Sequence, residues 1–396
     1  VLLAAHAAAG DRMIDLTKKL AWSAWPHDLA LQAFLEDLQP NILRSHGRDH
    51  TRLTFVRFEA ATPAERRADL EALGRRTTSA LEQLVQTERY RSTGVPGDPV
   101  VSVSLSAAGY AALPLKGPKD ARFRSGFQAA SAALFGVPPA DWRPAFDAAR
   151  ESHAVLCVAD VAEAGALTRT RDILAAASPH LVVVGEEVSA TYRDARRQVR
   201  EHFGFVDGRS QALLLDEDVA AETAAAGSTR WSPGFPLSQA LLPCPDGTSA
   251  QPCGSYLAYC KLEQDVAGFW SDVRLAAAQA KLPPELAGAM VVGRFPDGTP
   301  VVASQSSLAP HPVPNDFDYA ADAMGSRCPF HAHIRKMNPR GITFPVPPPI
   351  GQRDERNAQV LRRGVTYGSR AFDAATGAFA DAPKNGVGLL FLAYQA

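Results

Sequence analysis

The sequence predicts an α+β fold, and three observations predict it. Apolar and polar residues nearly alternate in short segments such as Thr51-Arg52-Leu53-Thr54-Phe55-Val56-Arg57-Phe58, as half-buried strands require. Helical patterns fall between those segments. Hydrophobic residues make up 46% and charged residues 21% of the 396 positions, the balance of a globular chain that can bury a sizeable core. That length favours two domains or one large fused body.

The elements follow in order. Leu16 to Leu38 contains tryptophan, is broken at Pro26, and reads as an N-terminal arm ending in helix rather than as core. Residues 51–58 form the first strand. Pro63 to Gln86 carries one helical pattern, with Pro63 suited to the first turn. Val100–Leu105, His153–Val158 and Leu181–Val184 are further strands, with helices at roughly 118–135 and 160–176 between them. A second set begins near residue 201. It contains a strand at Tyr256–Leu262, a helix from Glu263 to about Lys281, and an apolar terminal strand at Gly386–Tyr394. Gly227 to Gly254 has the composition of a long surface loop, and Pro345 to Pro349 must run extended. The expected division is an arm over 1–47 and two halves over 48–200 and 201–396.

Charge and composition exclude several classes of function. Lys+Arg 41 against Asp+Glu 42 gives a net charge of -1, too little positive charge for a nucleic-acid partner. No segment approaches the ~18 apolar residues of a bilayer span, so no membrane association is expected. Val1-Leu2-Leu3-Ala4-Ala5-His6 lacks the basic start of a secretion signal. The 5 cysteines are an odd number without a C-x-x-C pair, unlike a disulfide scaffold or zinc ribbon, and Cys244 and Cys253 read as free thiols. A reducing cytoplasm is the expected compartment, and homo-oligomerisation stays open.

Three segments carry chemistry. In Cys328-Pro329-Phe330-His331-Ala332-His333-Ile334-Arg335-Lys336-Met337-Asn338-Pro339-Arg340, Pro329 suits a helix start and Pro339 ends it after two to three turns. The two histidines stand at i and i+2, about 200° apart around such a helix, so they cannot share a metal on one face. That leaves one imidazole facing inward, either a hydrogen-bonded core residue or an axial ligand for iron porphyrin. Gly204-Phe205-Val206-Asp207-Gly208 by itself reads as a tight turn, and Leu361-Arg362-Arg363-Gly364 as a basic surface patch.

In this order the three segments resemble the dye-decolorizing peroxidases, a heme-containing family. Pro40-Asn41-Ile42-Leu43, His46-Gly47-Arg48-Asp49-His50, Leu262-Glu263-Gln264-Asp265-Val266, Gly293-Arg294-Phe295-Pro296-Asp297-Gly298 and Asn315-Asp316-Phe317-Asp318-Tyr319 add to the match, which runs from about Pro40 to Tyr394. The resemblance is closest to the long bacterial and fungal branch. It implies two ferredoxin-like α+β halves of the dimeric α+β barrel superfamily, with heme b held mainly by the second. It implies His333 as the proximal iron ligand, and Asp207 and Arg362 as the catalytic pair on the peroxide side. Arg340, Arg335 and Asn338 would meet the heme propionates, where a guanidinium fork matches a carboxylate.

The implied activity is reduction of hydrogen peroxide coupled to one-electron oxidation of bulky aromatic donors such as dyes and phenolics. An aspartate base stays ionised in acid, where a histidine would be protonated, so mildly acidic pH should favour turnover. Trp231, Trp270, Tyr319 and Tyr367 are candidate electron relays, with packing as their ordinary alternative. A heme-handling protein with incidental peroxidase turnover is the competing reading. A carboxylate partner for the proximal imidazole, often found at or beyond the terminal strand, is not identifiable here.

Overall fold

Two antiparallel sheets packed face to face organise the molecule, each with helices interleaved along the chain. The computed structural model describes residues 12–126, 129–130, 132–133, 151–308, 313–340 and 356–396. The Pro345–Pro349 run and part of the expected 118–135 helix lie outside them.

Helix α1 (Leu29–Asp37) precedes the first sheet, which is built from β1 (His50–Phe58), α2 (Pro63–Gly74), α3 (Ala80–Thr93), β2 (Val100–Leu105), β3 (Ala154–Asp160), α4 (Glu163–Ala175) and β4 (Leu181–Ala190). The strand order β2-β3-β1-β4, all antiparallel, is the ferredoxin-like arrangement. The helical pattern over 63–86 divides into α2 and α3, because it holds two start signals. Thr62 with Glu65 and Ser79 with Glu82 each form a capping box. Thr78, between them, exchanges hydrogen bonds with Val101 of β2, which pins the break to the sheet.

α2 and α4 cover one face of this sheet over Val56, Phe58, Val101, Leu156 and Val158. The other face, through Leu53 and Phe55, meets the second sheet.

The second sheet comes from β5 (Tyr256–Glu263), followed by α5 (Val266–Ala280), α6 (Pro284–Val292) and α7 (His333–Met337), then β6 (Leu361–Arg362), β7 (Val365–Tyr367) and β8 (Gly388–Gln395). β8 is central, paired with β5 along its full length on one edge and with β6 and β7 on the other. Side chains alternate across it. Leu390 and Leu392 enter the buried layer with Leu53, Phe55 and Tyr367. By the same alternation, Leu389, Phe391 and Arg362, which pairs with Ala393, belong to the opposite face.

Two expectations change. The segment read as a peripheral arm is core, because Leu31, Phe34, Leu35 and Leu38 make an apolar stripe at helical spacing that closes over Leu20 and Trp22. The segment read as a surface loop supplies the other side of that cluster, with Trp231, Phe235, Leu237 and Leu241 buried against it. Among the described residues, no helix is long and apolar enough to cross a membrane.

Candidate active site

The Asp207 turn is fixed from several sides. Its backbone N–H donates to Val199 O at 2.8 Å, and the preceding Val206 N–H donates to Pro296 O at 3.0 Å. The Asp207 carboxylate accepts the N–H of Gly208 at 2.6 Å, and Gly208 turns the chain at φ 80, a conformation that favours glycine. Two residues on, Arg209 O accepts Arg362 Nη2 at 2.7 Å. The aspartate turn and the arginine of β6, 155 positions apart in the chain, are therefore tied directly (362 − 207).

Arg362, which ends β6, and Arg363, which follows it, point to opposite sides of the chain, as alternation requires. Arg363 is buried and donates to Asn41 O at 2.6 Å and Ile42 O at 2.8 Å. The doublet is thus a built feature rather than a solvated patch.

His333 opens α7, a helix of five residues that is shorter than expected. Ala332 has ψ 132 and caps the helix, so His331 lies in the turn before it. The His333 ring is accessible, yet protein surrounds it closely enough that desolvation is the largest cause lowering its pKa. Arg362 lowers it further and Asp207 opposes this, which puts all three predicted residues within electrostatic reach of one another. The imidazole is thus open to solvent on one side and neighboured by protein on the other. It also stays neutral with a free lone pair, the state in which a histidine ligates a metal.

The remaining predicted residues separate. Arg340 is buried and donates to the backbone oxygens of Asn315 and Phe317 at 2.7 and 2.8 Å, and to Ser210 Oγ at 2.6 Å and Asn315 Oδ1 at 3.0 Å. Arg294 donates to the same Ser210 Oγ and Asn315 Oδ1, each at 2.8 Å. Burial brings Arg294 down to about 9 and Arg340 to about 10, and Arg340 and Arg209 each lower Arg294 further. Among the described residues neither has a carboxylate in ion-pair contact. Arg209 reaches Glu222 at 3.6 Å, and its buried Nε has no hydrogen-bond partner. Asn338 is buried, with an unpartnered Oδ1.

Arg335 is different. Its guanidinium is fully buried and pairs with Asp322 at 2.9 Å, donates to the Asp322 and Cys328 carbonyls, and lies over the Tyr319 ring at 4.4 Å. These bonds brace the loop before α7 and engage Nη1 and Nη2, so the proposed propionate grip is built without Arg335, whose buried Nε is left without a partner.

Two buried guanidiniums, Arg294 and Arg340, and the half-buried Arg209 stand against Glu222 and Asp316, a local excess of positive charge that a heme propionate would neutralise. With a neutral imidazole and the apolar Leu389 and Phe391 on the face of Arg362, these residues fit a heme with its paired propionates.

Comparison with known proteins shows the family. The chain is 39% identical over 394 residues to the multifunctional dye peroxidase DyP2 of Amycolatopsis sp., covering 96% of this chain and 82% of the relative. The chain belongs to the dye-decolorizing peroxidase family. A solved structure of that Amycolatopsis dye-decolorizing peroxidase superposes with a TM-score of 0.87 at 38% identity, over 96% of this chain and 82% of the other. A DyP-type peroxidase from Anabaena sp. gives 0.84 at 32% identity, over 98% and 82%. Peroxidase 2 of Mycetinis scorodonius is 27% identical over 386 residues, 91% of this chain and 70% of the relative. No protein-family model matches the chain.

Sequence reasoning missed Arg209, Arg294, Leu389 and Phe391 as site residues. Arg294 stood inside a matched segment without a role, and the alternation of Leu389 and Phe391 along the terminal strand was the available signal. Of the relay candidates in this dye-decolorizing peroxidase, Trp231, Tyr319 and Tyr367 are buried. Trp270 is half-exposed, stacks on Phe205 at 5.8 Å and donates to Phe203 O at 3.0 Å.

Proposed function

We propose that this family member is a heme b peroxidase that consumes hydrogen peroxide and oxidises dyes and phenolics in one-electron steps. The reading is supported above all by one observation, a desolvated His333 within electrostatic reach of Asp207 and Arg362, themselves linked through Arg209 O. When bound, the heme supplies an iron centre able to take up and release oxidising equivalents. His333 would hold the iron through its neutral imidazole, Arg340, with Arg294 and Arg209, would neutralise the propionates, and the amide NH2 of Asn338 would be the group able to donate to them.

Asp207 accepts the proton from one peroxide oxygen and returns it to the departing oxygen, a shuttle that needs one carboxylate and no net proton. Arg362, permanently charged, steadies negative charge on the departing oxygen, and its bond to Arg209 O keeps it beside the acceptor. Leu389 and Phe391 offer apolar surface on that side, which limits access by water. All five cysteines are thiols, in keeping with a reducing, cytoplasmic setting as part of this proposal.

The test is a visible spectrum of purified protein supplied with hemin, before and after one equivalent of peroxide. A Soret band near ~400 nm that His333→Ala loses is expected. Asp207→Asn should keep the band and slow peroxide consumption about 10²–10⁴-fold. A band unchanged by His333→Ala removes the proposed ligand, and unchanged peroxide turnover in Asp207→Asn removes the shuttle.

A further inference from the structure

Glu201 lies six residues before Asp207 and is the hub of the turn that leads to it. Its backbone N–H donates to Phe205 O at 3.1 Å, and its carbonyl accepts Gly204 N–H at 2.8 Å. Its carboxyl accepts three more bonds: Oε1 from Phe205 N–H at 2.9 Å, and Oε2 from Phe203 N–H at 2.9 Å and Gln264 Nε2 at 2.7 Å. A side chain that closes the same turn its main chain closes leaves Val206 and Asp207 little freedom.

Among the described residues, no cation forms an ion pair with Glu201; Arg200 Nη1 reaches the turn only through Gly204 O, at 3.3 Å. Phe269 and Trp270 of α5 pack on Phe203 and Phe205, and Gln264 at the start of that helix is neutral. Arg200 turns its guanidinium to Asp194 at 2.8 Å and to Pro296 O, while Arg370 is engaged with Asp381 and with His202 O. His202 places Nε2 on Tyr367 O at 2.7 Å. The charge that acts on Glu201 is that of Asp207. Burial is the largest cause that brings the carboxyl up to about 7; the bonds from Phe203, Phe205 and Gln264 oppose it, and Asp207 adds a smaller upward push. Gln264 Oε1 is buried without a partner, so a half-turn of that amide would let it accept a proton from Glu201 where Nε2 now donates.

We propose that Glu201 is a positioning residue for Asp207: its carboxyl holds the turn that aims the proton acceptor, and its protonation state sets the charge standing behind that acceptor. This rests on the peroxidase reading for its catalytic meaning, but the electrostatic link is a property of the protein alone. Protonated, Glu201 leaves Asp207 as the only negative charge of the pair. Ionised, it places a second negative charge behind that acceptor.

Two measurements on heme-loaded protein test it. Infrared titration should find a protonated-carboxyl band that disappears across neutral pH, is absent in Glu201→Gln, and moves to lower pH in Asp207→Asn. The pH profile of the rate constant for peroxide should contain a neutral component that Glu201→Gln removes while the acid limb stays. A Glu201→Gln profile scaled by one factor at every pH would mean a purely structural side chain and overturn the proposal. So would an infrared midpoint that Asp207→Asn leaves in place, a result available even if Glu201→Gln fails to fold. Loss of all peroxide reactivity in wild-type protein with the infrared shift intact would sink the peroxidase reading and not the coupling.

Discussion

An imidazole hemmed in by protein and faced by a guanidinium loses proton affinity, and His333 meets both conditions. The sign is definite. Protons compete with iron only below the ordinary histidine value of about 6.5. Soret absorbance should therefore hold as pH falls through 6.5, and loss of half the heme at or above that pH would contradict the assignment. Arg362 makes its contribution through a planar fork, so Arg362→Lys should slow peroxide consumption about 10²–10³-fold with the spectrum of resting protein unchanged. The sequence made His333, Asp207 and Arg362 legible because each sits in a motif of several residue types. It could not separate Arg335 from Arg340, since what distinguishes them is the company of Asp322, thirteen positions upstream of Arg335. Glu201 carried no local signal either, because two of its partners are backbone N–H groups of a turn.

At the scale of elements, the short helix α7 is held by what surrounds it. Gly293, at φ 95 after α6, lets Ile334 approach so closely that an added Cβ would stand 2.3 Å from Ile334 Cγ1. Gly293→Ala should displace α7 and weaken heme retention, read as faster loss of heme to an apo-acceptor protein. Behind the same helix, Asp322 and Arg335 form an ion pair almost sealed from solvent. Asp322→Asn leaves a guanidinium buried without its counter-charge, and unfolding in urea should report about 3–5 kcal/mol lost. Strands were the most legible elements, because alternation over six to nine residues has few other meanings. The division of α2 from α3 was also written in the sequence, as two capping boxes inside a continuous pattern. The end of α7 was legible at Pro339, whereas its late start was not, because Ala332 takes an extended conformation that no neighbouring residue type demands.

For the molecule as a whole, the layer between the sheets is the main joint. Leu390→Ala should cost about 2–5 kcal/mol and shift the urea midpoint, with the native fold retained. Acid will also test the fold, because His46 is buried, accepts the Arg48 N–H on Nδ1 at 3.0 Å, and is held down to about 3. A folded value below the unfolded one means stability present above about 6.5 and lost as pH falls, at about 1.4 kcal/mol per unit until about 3. Thermal unfolding midpoints measured from pH 7 to 4 should decline, and a flat series would contradict the burial of a neutral His46. Acid that favours an aspartate base thus works against the scaffold that presents it. The topology was only partly legible: the ferredoxin-like first sheet matches the expected order of elements, but the arm and the 227–254 segment proved to be core because apolar residues far apart in sequence meet only once the sheets are stacked.

The arginine doublet at the end of β6 has one more consequence. Arg363 clasps the carbonyls of Asn41 and Ile42 while Arg362, one peptide unit away, reaches toward the peroxide side. The leading stretch of the polypeptide is therefore a splint for a reactive group encoded more than three hundred codons later. A protease nick ahead of β1 that released this stretch would dull peroxide chemistry without touching any atom that meets peroxide.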